Sequence, residues 1–155
     1  ANNRMITIKT SAGEDGLEKP AEFLIKGRAA AQLGSWVDMG LRRFTGFMDY
    51  ESGFSLEQTR EVEIDLGQVK HMAEVWVNGH KVGERLWPPF VFDATDFVTS
   101  GKNTVRIRVG NLMVNEMGLT DALDELRHWG WRGTPPDSCF DAGLFGPVRI
   151  IAKNH

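Results

Sequence analysis

Along residues 61–66 apolar and acidic side chains alternate strictly. Val62, Ile64 and Leu66 fall on one face of an extended chain, and Glu61, Glu63 and Asp65 fall on the other. The same period runs through Met5–Thr10 and Phe47–Leu56, and again where Ala73, Val75 and Val77 oppose Glu74, Trp76 and Asn78. One apolar face at period two is the pattern of a half-buried antiparallel strand. Asn78-Gly79 then interrupts the alternation, and Asn-Gly is the strongest short-range hairpin signal. A type I′ turn needs positive φ at both central residues, which Asn tolerates and Gly adopts freely. The predicted strands are Phe47–Leu56, Glu61–Leu66, Met72–Asn78, Lys81–Leu86, Val105–Val109 and Val148–Ala152. Strands at this spacing, joined by Gly, Asn and Pro turns, predict an all-β fold, an antiparallel β-sandwich.

Between the strands the pattern lapses. Ser11–Pro20 is polar and Gly-rich, a loop, and Ala29–Leu33 fits one helical turn. Trp87-Pro88-Pro89 must leave regular pairing, because neither proline donates a backbone hydrogen bond. Phe90–Phe92 resumes extended chain, Asp93–Phe97 reads as a short turn of helix, and Ser100–Asn103 reads as a turn. The long break is Leu112–Phe140. Within it Leu119, Ala122, Leu123 and Leu126 follow a helical spacing, so Thr120–His128 is a short helical insertion with Thr120 as its N-cap. Trp129–Asp137 (WGWRGTPPD) fits neither period.

Size and composition narrow the class. A chain of 155 residues with no internal repeat reads as a single domain over 1–155, long enough to bury roughly 70% of its unfolded surface. Eighteen basic against 21 acidic residues give a net charge of −3 without a basic stripe, which argues against a nucleic-acid partner. No run approaches the roughly 18 apolar residues of a membrane span, so no membrane partner is expected. Ala1–Thr10 lacks the apolar core of a signal peptide. Cys139 is the only cysteine, so no internal disulfide forms.

The candidate chemistry sits in Trp129–Asp137. Sugars present apolar C–H faces that stack on aromatic rings, and hydroxyls that need fixed donors and acceptors. Trp129, Trp131, Arg132 and Asp137 offer both, and loops on a rigid sandwich commonly carry binding residues. The same loop also reads as a plug over one mouth of the sandwich, which the burial tendency of Trp favours. Trp87, stiffened by two prolines, is a second platform or a packed corner, and Trp36 reads as core. Trp76 lies on the outer face of its strand, covering a second layer or meeting another domain. Asn111, at a strand end, lines the same end of the sandwich as a ligand contact or closes a turn on its own backbone.

Catalysis is poorly supported. Glycoside hydrolysis needs two carboxyls roughly 5 to 9.5 Å apart. Asp121, Asp124, Glu125, Asp137 and Asp141 supply acids, but nothing pairs two of them across a cleft. His71, His80, His128 and His155 show no metal-ligand spacing, and no GxSxG, P-loop or GxGxxG occurs. The chain is therefore read as no enzyme by itself. Glu14, Asp15, Asp93 and Asp96 are candidate oxygen ligands for a structural Ca²⁺, without EF-hand spacing.

Several stretches carry a family resemblance: LGSW at Leu33–Trp36, FTGFMDYESGFSL at Phe44–Leu56, the VNG hairpin, WPPF at Trp87–Phe90, VRIRVGN at Val105–Asn111 and GLFGPVRI at Gly143–Ile150. From about Gly34 to Ile151 the chain resembles the sugar-binding β-sandwich of glycoside hydrolase family 2, and most of all the β-domain of family 106 α-L-rhamnosidases. The resemblance implies a galactose-binding-type jelly roll that accompanies a catalytic barrel and is not itself the hydrolase. It implies a carbohydrate ligand, a catalytic domain in the same parent chain as partner, an extracellular or periplasmic location, and Asn111 near the interface with the barrel. A structural Ca²⁺ is common in such sandwiches. The rival reading is a purely structural β-sandwich that braces a catalytic domain and touches no sugar. A binding module should show an exposed Trp beside polar groups, a brace an apolar patch rimmed by polar residues.

Overall fold

A computed structural model describes residues 33–42, 44–57, 61–112 and 140–153, with short strand pieces at 6–7, 10–11 and 28–29. In chain order the strands are β1 (Ile6–Thr7), β2 (Thr10–Ser11), β3 (Arg28–Ala29), β4 (Gly34–Ser35), β5 (Phe47–Leu56), β6 (Val62–Asp65) and β7 (Gln68–Lys70). There follow β8 (Met72–Val77), β9 (His80–Arg85), β10 (Val91–Asp93), β11 (Gly101–Gly110), β12 (Gly143–Gly146) and β13 (Arg149–Ala152). Every strand pair is antiparallel. The main sheet has five strands in the order β2-β5-β11-β8-β9, and it is opposed by three-stranded sheets β10-β6-β13 and β4-β12-β7. This is the antiparallel β-sandwich that the alternation predicts.

The core is the sum of the inward positions. Met48 and Tyr50 of β5, Ala73, Val75 and Val77 of β8, and Val105, Ile107 and Val109 of β11 are buried from one layer. Val62 and Ile64 of β6, Val69 of β7, Phe92 of β10 and Leu144 of β12 meet them in one continuous cluster. Trp36, 1% exposed, closes that cluster as the sequence predicts. Its indole Nε1–H donates to the Tyr50 hydroxyl at 2.6 Å, and its ring meets Phe44 edge-on at 5.3 Å. The indole thus buries a large apolar body while its one donor is satisfied.

The hairpin forms as its sequence demands. Asn78 and Gly79 both take positive φ, at 51° and 84°. Asn78 does more than turn. Its amide Nδ2 donates to the Phe97 carbonyl at 2.9 Å and to Asn103 Oδ1 at 2.8 Å, and its Oδ1 accepts from the Thr104 N–H at 3.0 Å.

Three local expectations change. The predicted turn at Ser100–Asn103 is already strand from Gly101, which pairs with Leu56. The buried Asn103 side chain binds the Thr99 and Gly101 carbonyls and the Thr99 N–H, doing from within the strand what a turn does for its own backbone. At Asp93–Phe97 the helical turn is a 3₁₀ turn over Thr95–Phe97, entered through an Asp93 carboxylate that accepts the Thr95 N–H. The strand predicted over 61–66 runs from Val62 to Asp65, because the Leu66 N–H turns to the Phe90 carbonyl. The predicted helix Thr120–His128 and the turn at Ala29–Leu33 lie wholly or largely outside the described residues.

Candidate functional site

Strand registers bring one set of termini together. β11 ends at Gly110, opposite Phe47 at the start of β5 and Met72 at the start of β8. One row inward, Ala73 pairs with Arg85, the last residue of β9. Gly46, His71, Leu86-Trp87 and Asn111-Leu112 therefore emerge at the same end of the main sheet. β11 and β9 are separated by one strand, so their ends stand about 10 Å apart at the usual strand spacing. The chain leaves this end after Leu112 and is described again from Phe140. Trp129, Trp131, Arg132 and Asp137 lie between, outside the described residues.

Trp87 is 70% exposed, an open indole rather than a packed corner. The loop that carries it is tied at its feet: Arg85 Nε donates to the Val91 carbonyl at 3.1 Å, while the guanidinium lies 5.7 Å from the Phe92 ring centre. Asn111 does not close a turn on its own backbone. Its Oδ1 accepts the Gly46 N–H at 2.9 Å and its Nδ2 donates to the Phe44 carbonyl at 2.6 Å. Both ends of the amide thus clasp the 44–46 loop, not its own turn, and stiffen the floor of this end.

Beside that floor lies a polar group that alternation gives no means of finding. Asp141 Oδ1 accepts the Ser35 hydroxyl at 3.1 Å, and Oδ2 faces the Lys70 ammonium at 3.3 Å. The ammonium, and after it the Ser35 hydroxyl, hold this carboxyl below its ordinary range. Next to Lys70 lies the half-buried His71 ring, whose pKa burial first and Lys70 second push down against the opposing effect of the Asp141 backbone. Lys70 carries no motif. It meets Asp141 only because β7 and β12 pair through Lys70 and Gly143.

The outer face of the main sheet is closed. Arg106 lies 3.9 Å from the Trp76 ring centre, with Arg108 and Lys81 at 5.5 and 5.8 Å. Arg108 forks onto Asp49 through Nε and a terminal nitrogen at 2.7 and 2.9 Å, and Asp49 is only 6% exposed. Trp76 thus serves as a base for cations, a cation–π arrangement, and its face is not a free platform. Among the described residues, five of the eight large exposed apolar side chains stand where the termini meet, namely Phe47, Leu86, Trp87, Leu112 and Phe140, while Leu33, Met39 and Ile151 lie apart from them.

Of the five acids considered for catalysis only Asp141 is described, and it pairs with a cation and not with a second carboxyl. Among the described residues no group of three His, Cys, Asp or Glu side chains could hold a metal. The Asp93 carboxylate is engaged by Thr95, whose hydrogen bonds lower its pKa. Glu14 and Asp15 lie outside the described residues.

No protein-family model matches the chain. Two proteins of Formosa agariphila, each named "Putative beta-glucuronidase", are similar to it. One is 31% identical over 115 residues, which is 68% of this chain and 10% of that protein. The other is 27% identical over 131 residues, 83% of this chain and again 10% of that protein. Among solved structures, a rhamnosidase from Novosphingobium sp. PP1Y superposes with a TM-score of 0.59 at 28% identity, covering 72% of this chain and 11% of that one. A β-glucuronidase from Ruminococcus gnavus shares the fold at 19% identity and a TM-score of 0.52. The structural neighbours are thus domains of glycoside hydrolases, and this chain spans about a tenth of the length of the curated relatives it matches.

Proposed function

We propose that this chain is a non-catalytic, carbohydrate-binding accessory domain of a larger glycoside hydrolase, of the galactose-binding jelly-roll type that accompanies α-L-rhamnosidases. One observation carries the reading: the similarity covers most of this chain but only a tenth of each relative, the footprint of one β-sandwich within a much longer enzyme. The partner is the catalytic domain of the same parent chain. The ligand is a plant or microbial polysaccharide, met in an extracellular or periplasmic setting. Trp87 is the exposed platform at the strand-end mouth, with Trp129, Trp131, Arg132 and Asp137 as the loop contribution and Asn111 as its support. No calcium enters this reading.

The chain alone should leave aryl rhamnosides, galactosides and glucuronides intact, because nothing in the sequence marks two of its carboxyls as a pair facing one cleft. Glycan arrays followed by calorimetry test the binding. A stacked ring contributes about 1 kcal/mol beyond its buried area, so Trp131→Ala should weaken binding by about tenfold or more while the thermal midpoint holds. Unfolding of that variant would make Trp131 a core plug instead. A second reading, the brace, is favoured by the exposed Phe47, Leu86, Trp87, Leu112 and Phe140 at one end. Absence of any glycan ligand for the wild type would put the brace first.

A further inference from the structure

The outer face of the sheet β4-β12-β7 holds an arrangement that neither hydrolysis nor core packing uses. Ser35 and Lys70 both pair with Gly143, one on each side, so they stand in one row about 10 Å apart across a residue without a side chain. Asp141 bridges the row. Its carboxylate accepts from the buried Ser35 hydroxyl through Oδ1 and faces Lys70 Nζ through Oδ2. Ser35 Oγ is itself fixed by the Val37 N–H at 3.2 Å. The ammonium also lies 5.4 Å from the Phe145 ring centre.

The pair is oriented yet not saturated. A carboxylate offers about four lone-pair positions and an ammonium three donors. Ser35 and Lys70 use two of the former, and Asp141 uses one of the latter. Both side chains keep solvent access, at 34% for Lys70 and 52% for Asp141. An acceptor and a donor held this way, about one hydrogen-bond length apart, match two vicinal hydroxyls of a sugar ring. One hydroxyl donates to Asp141, and its neighbour accepts from Lys70. The site has no net charge, so it offers no Coulombic gain to an anionic sugar, and only a carboxylate bound directly to Lys70 would have to displace Asp141.

We infer that Lys70 and Asp141, held by Ser35 beside Phe145, form the hydrogen-bonding part of a subsite for neutral sugars bearing a vicinal diol. This rests on the carbohydrate-binding reading above and adds the class of ligand to it. The pair lies at the loop-bearing end: His71, next to Lys70, donates its N–H to the Gly110 carbonyl one residue before Asn111.

The test titrates the full chain with methyl α-L-rhamnopyranoside, methyl β-D-galactopyranoside and sodium D-glucuronate, by calorimetry and ligand-observed NMR. At least one neutral glycoside should bind, and glucuronate should bind no better. Asp141→Asn and Lys70→Met should each weaken the neutral sugar about tenfold, the scale of one charge-assisted hydrogen bond. Thermal midpoints should hold, since an exposed pair adds little to stability. Neutral-sugar binding that survives unchanged in both variants overturns this inference and leaves the binding reading standing. Preference of the wild type for glucuronate overturns it as well. Silence of the wild type toward all three probes overturns this inference, while the glycan arrays decide the binding reading separately.

Discussion

Asn78 carries two separable loads, and a pair of substitutions pulls them apart. As first residue of the hairpin turn it holds φ at 51°, and its side chain joins the Phe97 carbonyl, Asn103 and the Thr104 N–H. Asn78→Gly keeps the turn conformation at no steric cost but removes all three bonds. Half-buried neutral hydrogen bonds contribute about 1 kcal/mol each, and Asn103 would keep an unanswered oxygen, so the loss should be about 2–3 kcal/mol. Asn78→Ala removes the same bonds and also forces an L side chain into the left-handed region, costing about 1 kcal/mol more. Urea unfolding followed by Trp fluorescence reads both. With slopes near 1–3 kcal/mol/M, the glycine variant should shift the midpoint by roughly 0.7–3 M at an unchanged slope. A glycine variant as stable as the wild type would refute the hydrogen-bond account. Alanine and glycine variants of equal stability would refute the turn account.

Two further outcomes follow from the packing. Arg108→Met should destabilise by about 2 kcal/mol in the same assay, less than for a fully buried pair because the guanidinium is partly exposed and Arg106 stays 3.8 Å from Asp49. The double variant Asp49→Leu/Arg108→Met should recover much of that loss, and failure to recover would show that the pair contributes more than its own neutralisation. For His71, burial and then Lys70 depress the folded pKa, so the folded state favours the neutral ring. Its contribution is complete above the unfolded value near 6.5 and is lost as pH falls through 6.5 toward the depressed folded value. Urea midpoints at pH 7.5 and pH 5.5 should therefore fall further for the wild type than for His71→Gln, and parallel losses would contradict the burial of this ring.

What the sequence conveys and what it hides divide along physical lines. Strands β5, β8 and β9 and the hairpin were legible because alternation and Asn-Gly are local signals, set by sterics within a few residues. Trp36 was legible as core from its place at a strand entry and the general tendency of Trp to be buried. The function of Asn111 was not, since its partners lie 65 and 67 positions away and are backbone groups that any residue would supply. Lys70 and Asp141 were hidden for the same reason, with 71 positions between them and only strand register to join them. Trp76 shows the converse limit: period two put it outside correctly, but Arg106 above the ring follows from cross-strand pairing with β11. The loop residues Trp129, Trp131, Arg132 and Asp137 still rest on their chemistry alone.

One detail of the hairpin bears on how this molecule behaves in a crowd. Between Val75 and Trp76 the register slips, so that Trp76 opposes Lys81 while Val75 opposes Gly83, and Val82 is left over on β9. That extra residue reverses the parity of everything after it. Glu84 comes to lie across from Glu74 on the outer face, where Lys81 binds both, whereas an unbroken ladder would aim Glu84 at Ala73 in the core. Among the described residues β9 is also the last strand of the main sheet, with one row of backbone donors and acceptors turned away from it. A bulge breaks the repeat that an incoming strand would need, and Lys81, Glu84 and Arg85 add charge along it. The irregularity that keeps one glutamate dry-side out also denies neighbouring molecules a template for edge-to-edge aggregation.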